Sequence, residues 1–410
     1  MRKEVNESEA LFARLCSDAF YGGFVDRNPK FYDPTEKESG DVILWVRDWL
    51  IIFEVVWRSR QAQVDTKSFI KRVGEKRDQL LGDFVVYAKP PNEIFMSNEH
   101  GEQSEYDPNY FNEDTTRGVV LIDAEGLQGK LHFDTLRLTL ESAHPIAVMT
   151  RSDFEAILNE VDTVPDLGFY LGDRYRFLKQ VYIKDSDRFL RLGDQIEREL
   201  IGLYKLGDNS FNIDRWNASP DKRFWERYRI ERAGDIAKRD ADNADSDFLD
   251  IVAARIRDSH GRGGFTIQHA WELALRTRRE RAWISAKIQK KINALLETHR
   301  DQKFAVEHHG TGCWDVFYFH HGVDSQHFRE EAQRMADRKM WVERSEYDFQ
   351  HSVFCFAFRS SPITDSLTEV ILTVSDASNW PNISPSMLSE ANRYFRGRTE
   401  TDSIREFPNG

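Results

Sequence analysis

The sequence predicts an α/β fold with three parts: a mixed β-sheet flanked by helices, a helical region, and a small C-terminal α/β unit. Two β-rich apolar runs, DVILWV and LIIFEVVW, lie between segments with helical periodicity. Residues 166–303 have a largely helical pattern, whereas residues 304–376 alternate between strand and helix patterns. We therefore expect an α/β domain at 1–180 and a helical region at 181–303. A small α/β unit at 304–380 and a polar tail at 381–410 follow.

Composition excludes several classes of protein. The chain has 410 residues, of which 40% are hydrophobic, and ten tryptophans, so it is not a disordered protein. Three widely spaced cysteines form no paired framework, which favours a reducing compartment. The N-terminus lacks an apolar signal core, and Arg47, Asp48 and Glu54 interrupt the most apolar run, which cannot span a bilayer. We expect a soluble cytoplasmic protein without a membrane partner.

The charge is unevenly distributed. The net charge is −12, yet residues 255–303 contain twelve Lys/Arg and five Asp/Glu, a local excess of seven positive charges. Such a segment can engage a polyanion locally, or it can be the solvated face of a helix. Both interpretations remain open at the level of sequence.

The elements of the N-terminal half can be assigned in order. The patterns predict a helix at 7–20 and a hairpin of two strands at 42–47 and 50–57. A basic helix at 66–81, stopped by Gly82, and a further strand at 83–89 follow. A polar surface loop at 97–117 follows. Strands are then expected in GVVLIDA, LRLTL and PIAVMT, and Ser152 or Asp153 caps the next helix. The C-terminal unit reads as strand, helix, strand and strand.

Two acidic residues stand out in the predicted hairpin. Asp41 begins its first strand, and Glu54 lies within its second strand between Phe53 and Val55. Burying an unpaired carboxylate costs several kcal/mol, so such a residue needs a partner or a metal ion. Carboxylates on adjacent strands are also a rigid way to hold the hard oxygen ligands that Mg²⁺ prefers.

The order helix, GDVILWV, turn, LIIFEV and a helix with Lys and Gln resembles the core of the PD-(D/E)XK, or restriction-endonuclease-like, nuclease superfamily. More narrowly, it is similar to an uncharacterised bacterial group linked with phage defence. The resemblance implies a restriction-endonuclease-like mixed sheet within residues 1–180. It also implies a nuclease that hydrolyses phosphodiester bonds in DNA or RNA and uses Mg²⁺ or Mn²⁺.

The resemblance assigns roles to single residues. Asp41 and Glu54 would be metal ligands, and Glu9 on the first helix would be a further acidic ligand or would hold a water molecule. Glu54 would also be a catalytic residue, together with Gln79 on the basic helix. These roles are implications of the resemblance and not of the spacing.

One departure from the family pattern is important. The family has a lysine two residues after its acid, and here that position is Val56. That lysine orients or deprotonates the attacking water and stabilises the charge developing on phosphate. Lys71 or Lys76 could supply a relocated ammonium group, and we favour Lys71 as the catalytic lysine because it lies about two helical turns from Gln79.

Three interpretations follow. The protein is an active nuclease with a relocated lysine, or a degenerate nuclease fold that binds nucleic acid or a protein without cutting. In the third, Glu54 merely pairs with a structural cation, for which the candidates are Arg47, Arg58 and Lys71. A homodimer or a partner protein would suit the second interpretation.

The basic region offers candidate nucleic-acid contacts, namely Arg262, Arg276, Arg278, Arg279 and Lys287. The helix at 276–296 also has an apolar stripe with helical spacing, which predicts burial of Trp283, Ile284, Ile288, Ile292 and Leu295. His308, Cys313 and His320 could be combined as zinc ligands, but they lack the close spacing typical of zinc sites, and we do not predict one.

Overall fold

A computed structural model describes most of the chain as two compact units, Met1–Lys238 and Arg239–Gly410. The described residues are 2–20, 25–27, 29–33, 35–38, 40–58, 66–90, 93–97, 103–124, 128–161, 163–219, 223–238, 240–241, 249, 265–307, 313–346, 352–361, 366–376, 388, 389, 391 and 395. The boundary between the units falls inside the stretch 181–303, which the sequence analysis treated as one helical region. The four predicted parts stay a prediction.

The first unit is built on a five-stranded mixed sheet in the order β1-β4-β5-β8-β9. Its strands are Val25–Arg27, Val42–Val46, Trp49–Arg58, Thr116–Ala124 and Ile146–Thr150. The first three strands pair antiparallel, and β5, β8 and β9 pair parallel. The strands β4, β8 and β9 consist almost entirely of buried residues, as expected for strands covered on both faces.

The predicted hairpin is confirmed. Val42 pairs with Phe53 and Val46 pairs with Trp49, so only Arg47 and Asp48 form the loop. Arg47 has a φ of 57°, the left-handed conformation that two-residue hairpin loops commonly require.

Eight helices of the first unit can be described: α1 to α8 span Arg2–Ala19, Thr66–Ala88, Gln128–Glu141, Arg151–Leu158, Val164–Leu192, Ile196–Leu206, Ile213–Ala218 and Phe224–Glu231. Two strand predictions are wrong. The segment 83–89 continues α2 through Gly82 as far as Ala88, and LRLTL lies within α3. Thr150, rather than Ser152 or Asp153, caps α4, and Asp153 completes the capping box.

Helices cover both faces of this sheet. Phe53 packs on Phe154 of α4, with ring centroids 5.5 Å apart, and Phe154 packs on Phe12 of α1. Since side chains alternate along a strand, Glu54 points to the opposite face, where α2 lies. A small antiparallel sheet, β3-β2-β6-β7, adds the strands Thr35–Glu38, Lys30–Asp33, Phe95–Ser97 and Gln103–Glu105.

The remaining helices of the first unit share a second apolar core. Trp216 is fully buried in it and packs against Phe177, Phe189 and Phe224. The Arg174 guanidinium of α5 forms a buried ion pair with Glu197 of α6, which also accepts a 2.6 Å hydrogen bond from the Tyr170 hydroxyl. The helical pattern predicted from residue 166 onwards is confirmed for α5 to α8.

The second unit contains a four-stranded mixed sheet, β10-β11-β12-β13, with strands Gln302–Glu307, Trp314–His321, Ser352–Ser361 and Ser366–Asp376. Helix α11, Ser325–Glu346, connects the parallel strands β11 and β12. This confirms the predicted strand, helix, strand and strand, to which the structure adds β10. Helices α9 and α10 span Phe265–Ala274 and Arg278–Thr298.

Two further observations bear on the sequence predictions. Ala391 and Phe395, which lie in the predicted polar tail, are buried in the apolar core of the second unit. Among the described helices, none is both long and apolar enough to cross a membrane.

Candidate functional site

The two predicted acids meet at the β4–β5 hairpin. Asp41 lies directly before β4, and its backbone N–H donates to the Phe53 carbonyl at 2.8 Å. Its carboxylate Oδ2 accepts a 2.7 Å hydrogen bond from the Val55 backbone N–H, next to Glu54. Asp41 therefore lies against the strand that carries Glu54.

Gly40 makes this geometry possible. Its φ is 81°, a backbone conformation that L side chains rarely adopt. A Cβ atom there would also lie 2.7 Å from the Ile52 side chain. The glycine lets the chain turn sharply against β5, so that the Asp41 carboxylate folds back onto the strand that carries Glu54.

Helix α2 supplies the other two polar groups of the site. The Lys76 ammonium forms an ion pair with Glu54 Oε2, and it lies 3.8 Å from Asp41 Oδ2. The Gln79 amide donates a 2.9 Å hydrogen bond to the second oxygen, Glu54 Oε1. Both carboxylate oxygens of Glu54 are thus bound by one helix, since Lys76 and Gln79 are three residues apart and share a helix face.

The site has a closed side and an open side. The Glu54 side chain is fully buried, whereas Asp41 is 16% exposed and Lys76 is 33% exposed. Gln79 is exposed. An incoming molecule would therefore reach the site from the side of α2, and Glu54 forms its floor.

Burial and the neighbouring carboxylates shift the pKa values of this cluster. Burial, and next the charge of Asp41, raise the pKa of Glu54 to about 9, although Lys76 opposes the shift. Burial by itself lowers the pKa of Lys76, but Asp41 and Glu54 outweigh burial, and the net shift is upward. Asp83 also raises both pKa values. The cluster thus favours additional positive charge.

The preference for Lys71 over Lys76 was wrong in its geometry. The Lys71 side chain is 79% exposed, and its ammonium lies 3.5 Å from Glu75 on the same helix. Lys71 is eight residues from Gln79, about 12 Å along the helix axis, whereas Lys76 is only one turn away. Nor does Glu54 pair with Lys71, as the structural interpretation would allow, because its partners are Lys76 and Gln79.

Sequence reasoning missed Asp83. It is buried in α2 four residues after Gln79, on the same side of the helix. The error follows from the strand predicted at 83–89, which removed Asp83 from the helix that carries Lys76. A helical reading of 76–83, with polar residues at intervals of three and four, would have identified it.

Glu9 does not complete a metal site with the other acids. It is buried on α1, which packs on the sheet face occupied by Phe53, opposite the face of Glu54. In the part of the chain that the structure describes, no three His, Cys, Asp or Glu side chains form a group that could hold a metal ion. Asp41 and Glu54 offer two hard oxygen donors, which suit Mg²⁺ or Mn²⁺ in chemical type and charge.

The predicted nucleic-acid contacts have different positions. Arg276 is fully buried and donates to Asp315 Oδ2 at 2.7 and 2.9 Å, so it cannot contact a nucleic acid. Lys287 lies over the Trp283 ring, 5.1 Å from its centroid, and Arg279 is partly buried. Arg262 and the side chain of Arg278 lie outside the described residues.

The predicted apolar stripe of α10 is confirmed for three of its five residues. Ile284, Ile288 and Leu295 are fully buried, whereas Trp283 and Ile292 are partly buried. Cys313 lies directly before β11 and His320 lies near its end, about 23 Å away by strand geometry, so they cannot share a metal ion. His308 lies outside the described residues.

Comparison with models of protein families, with curated proteins and with solved structures finds no match to this chain.

Proposed function

We propose that the first unit is a metal-dependent nuclease with a restriction-endonuclease-like arrangement, which hydrolyses phosphodiester bonds in DNA or RNA. The observation that carries the proposal is the position of the Lys76 ammonium, which contacts Glu54 and approaches Asp41. Lys76 would replace the lysine that the resemblance leads us to expect at Val56. The order of α1, the β4–β5 hairpin and α2 agrees with the sequence resemblance, and the proposed link with phage defence depends on that resemblance.

The proposed roles follow from the contacts. Asp41 and Glu54 would hold the cation through their carboxylate oxygens. When bound, Mg²⁺ or Mn²⁺ would polarise the scissile phosphate as a Lewis acid. Lys76 would orient the attacking water and stabilise the negative charge that develops on the phosphate. Gln79 would fix the Glu54 carboxylate through the hydrogen bond from its amide.

One observation favours the degenerate alternative. Lys76 already pairs with Glu54, and no third metal-ligating side chain joins Asp41 and Glu54 among the described residues. A cation would have to displace this ion pair before it could bind. In that case the fold would bind nucleic acid or a protein partner, and the wild-type chain would cleave nothing with any divalent metal.

The test compares two lysines of the same helix. The wild-type chain, Lys76→Gln and Lys71→Gln would be incubated with Mg²⁺ or Mn²⁺ and end-labelled single-stranded DNA, duplex DNA or RNA. We expect Lys76→Gln to slow cleavage about 100-fold or more, as the loss of a positioned proton donor or acceptor typically does. Lys71→Gln should retain the wild-type rate, because its side chain points into solvent.

Asp41→Asn and Glu54→Gln should abolish metal-dependent cleavage of the same substrates. Full activity in either variant would contradict the proposed site. A wild-type chain that binds these nucleic acids without cutting them would support the degenerate alternative, and cleavage gained by Val56→Lys would strengthen it.

A further inference from the structure

A second concave site lies in the first unit, away from the Asp41–Glu54 cluster. It has a volume of about 550 Å³, within the usual range for small-molecule sites. The second half of α2, the start of β8, the residues before β9 and the middle of α5 surround it. None of Asp41, Glu54, Lys76 and Gln79 lines it.

Arg117 is the distinctive group in this pocket. Its side chain is buried, with the residue only 7% exposed, and it lines the cavity wall. Its Nε donates to the Gly168 carbonyl at 3.1 Å, and its Nη1 donates to the Thr116 carbonyl at 2.8 Å. Within the described ranges, no carboxylate forms an ion pair with Arg117, and no acceptor binds its Nη2. A buried guanidinium without an anion is costly, and its structure suits an oxyanion.

Burial and a neighbouring guanidinium also favour an anion next to Arg117. Burial, and next the nearby charge of Arg176, lower the pKa of Arg117, whereas Asp173 and Asp114 only partly oppose the shift. Arg176 lines the same pocket, and its side chain is 69% exposed. Arg117 and Arg176 therefore both face the cavity. Arg176 is paired with Asp173 three residues earlier on α5, so Arg117 is the guanidinium without a carboxylate partner among the described residues.

Gly172 positions the buried guanidinium. It lies on α5 directly against Arg117, so that an added Cβ would be only 2.8 Å from Nη2. Any larger residue at this position would displace the guanidinium. The absent side chain thus leaves Nη2 room at the cavity wall.

The rest of the wall is suited to an apolar body. Phe84 packs edge-on against His144, with centroids 6.0 Å apart, and Phe111 also lines the cavity. Val85 is 66% exposed at the same place and adds an apolar surface to the wall. Glu113 and Asp114 add polar groups that can accept hydrogen bonds from a ligand.

We propose that this pocket binds a small molecule with a carboxylate or phosphate group attached to an aromatic body. Arg117 and Arg176 bind the oxyanion, and Phe84, Val85 and Phe111 contact the aromatic part. The site is independent of the proposed nuclease site, since it shares no lining residue with it.

The test uses isothermal titration calorimetry with the full chain. The probes are benzoate, phenyl phosphate and adenosine 5′-monophosphate, with inorganic phosphate and benzyl alcohol as controls that each lack one half of the recognised chemistry. We expect saturable binding of at least one aromatic anion, and binding at least tenfold weaker for both controls. Which probe binds most tightly distinguishes a carboxylate from a phosphate ligand.

Three variants distinguish a binding site from a structural arginine. Gly172→Ala keeps every charge but displaces the Arg117 guanidinium, and it should weaken the best probe about tenfold or more. Arg176→Gln should weaken it severalfold. Arg223→Gln is the matched control, because Arg223 is similarly exposed at 67% and pairs with Glu226 three residues later, much as Arg176 pairs with Asp173 three residues earlier.

Thermal unfolding of each variant would show that it is folded before it is titrated. Lack of saturable binding by all three aromatic anions would overturn the proposal, as would equal affinity for benzyl alcohol. Binding that is unchanged in both Gly172→Ala and Arg176→Gln would overturn it too, and Arg117 would then be only a link between β8 and α5.

Discussion

Glu54 is the residue on which the proposed chemistry of the first unit depends. Its carboxylate is fully buried, and Asp41 and Asp83 lie near enough to raise its pKa, with the Lys76 ammonium as the opposing charge. A buried acid with this balance retains its proton to an unusually high pH. In the proposed nuclease, binding of a divalent cation would require the proton to leave, so cation affinity would depend on pH.

We expect this coupling to be visible in the stability of the protein. The pKa of Glu54 rises from an ordinary 4.5 to about 9 on folding, so the folded state binds this proton more tightly. The resulting stabilisation is complete below pH 4.5 and is lost as the pH rises toward 9. Glu54→Gln has no such proton and escapes this loss. As the pH rises through this window, the free energy of unfolding of Glu54→Gln should therefore increase relative to that of the wild type, by up to about 1.4 kcal/mol per pH unit.

Urea unfolding of both chains at pH 5, 7 and 9 would measure this difference. Glu226→Gln is the control, since the Glu226 side chain is 62% exposed. A constant difference between Glu54→Gln and the wild type across this range would contradict the prediction. It would show that the pKa of Glu54 is the same in the folded and unfolded states. Mn²⁺ added to the wild type at pH 9 should recover part of the lost stability.

The sequence allowed most of this site to be found, but not its lysine. Asp41 and Glu54 could be singled out because each is a charged residue in or next to an apolar strand, whereas Gln79 was named only through the family resemblance. Lys71 and Lys76 have the same chemistry on the same helix, and only the docking of α2 on β5 determines which ammonium reaches Glu54. Glu9 was misplaced for a similar reason, since the face of the sheet that α1 covers depends on tertiary packing.

At the scale of elements, local composition explains both the successes and the errors. The β4–β5 hairpin and the strands β8 and β9 were predictable because β-branched runs coincide with clear turns. The segment DFVVYAK also has high β-propensity, yet it forms the last two turns of α2. Its buried residues, Asp83 and Tyr87, are four apart and continue the helical face of Leu80, so tertiary packing outweighs propensity there.

A glycine substitution in α2 would test the continuity of this helix, and a second one in α5 serves as its comparison. Gly82 is exposed within the helix, and an added Cβ would have no neighbour within 4 Å. Gly82→Ala should therefore raise the free energy of unfolding by roughly 0.5–1 kcal/mol through helix propensity alone. Gly168→Ala on α5 should do the opposite, because its Cβ would lie 2.1 Å from the Trp49 ring, and overpacking costs about 1–3 kcal/mol.

Urea unfolding monitored by circular dichroism would give both values. The same substitution is made in two helices of one unit, so a shared effect on the unfolded chain is controlled. A loss of stability in Gly82→Ala would mean that α2 ends near Gly82, as the sequence had suggested.

At the scale of the whole molecule, the charge distribution limits how a nucleic acid could bind. A net charge of −12 opposes nonspecific attraction, so contacts must come from a local basic surface. The segment 255–303 has the required excess of positive charge, but burial of Arg276 removes one of its strongest candidates. Lys287 and Lys290 on α10 keep their charges where a phosphate can reach them, with Lys290 exposed and Lys287 partly exposed.

We therefore expect the double variant Lys287→Gln/Lys290→Gln to weaken nucleic-acid binding and its dependence on salt. Each lysine that neutralises a phosphate contributes about one to the slope of log affinity against log salt concentration, so the slope should fall by about two. The control, Lys184→Gln/Lys238→Gln, changes the net charge equally by removing two exposed lysines of the first unit. Fluorescence anisotropy with a labelled oligonucleotide between 50 and about 200 mM salt would measure the slopes. Equal slopes for the two double variants would exclude α10 as the nucleic-acid surface, because a change in net charge alone would then account for both.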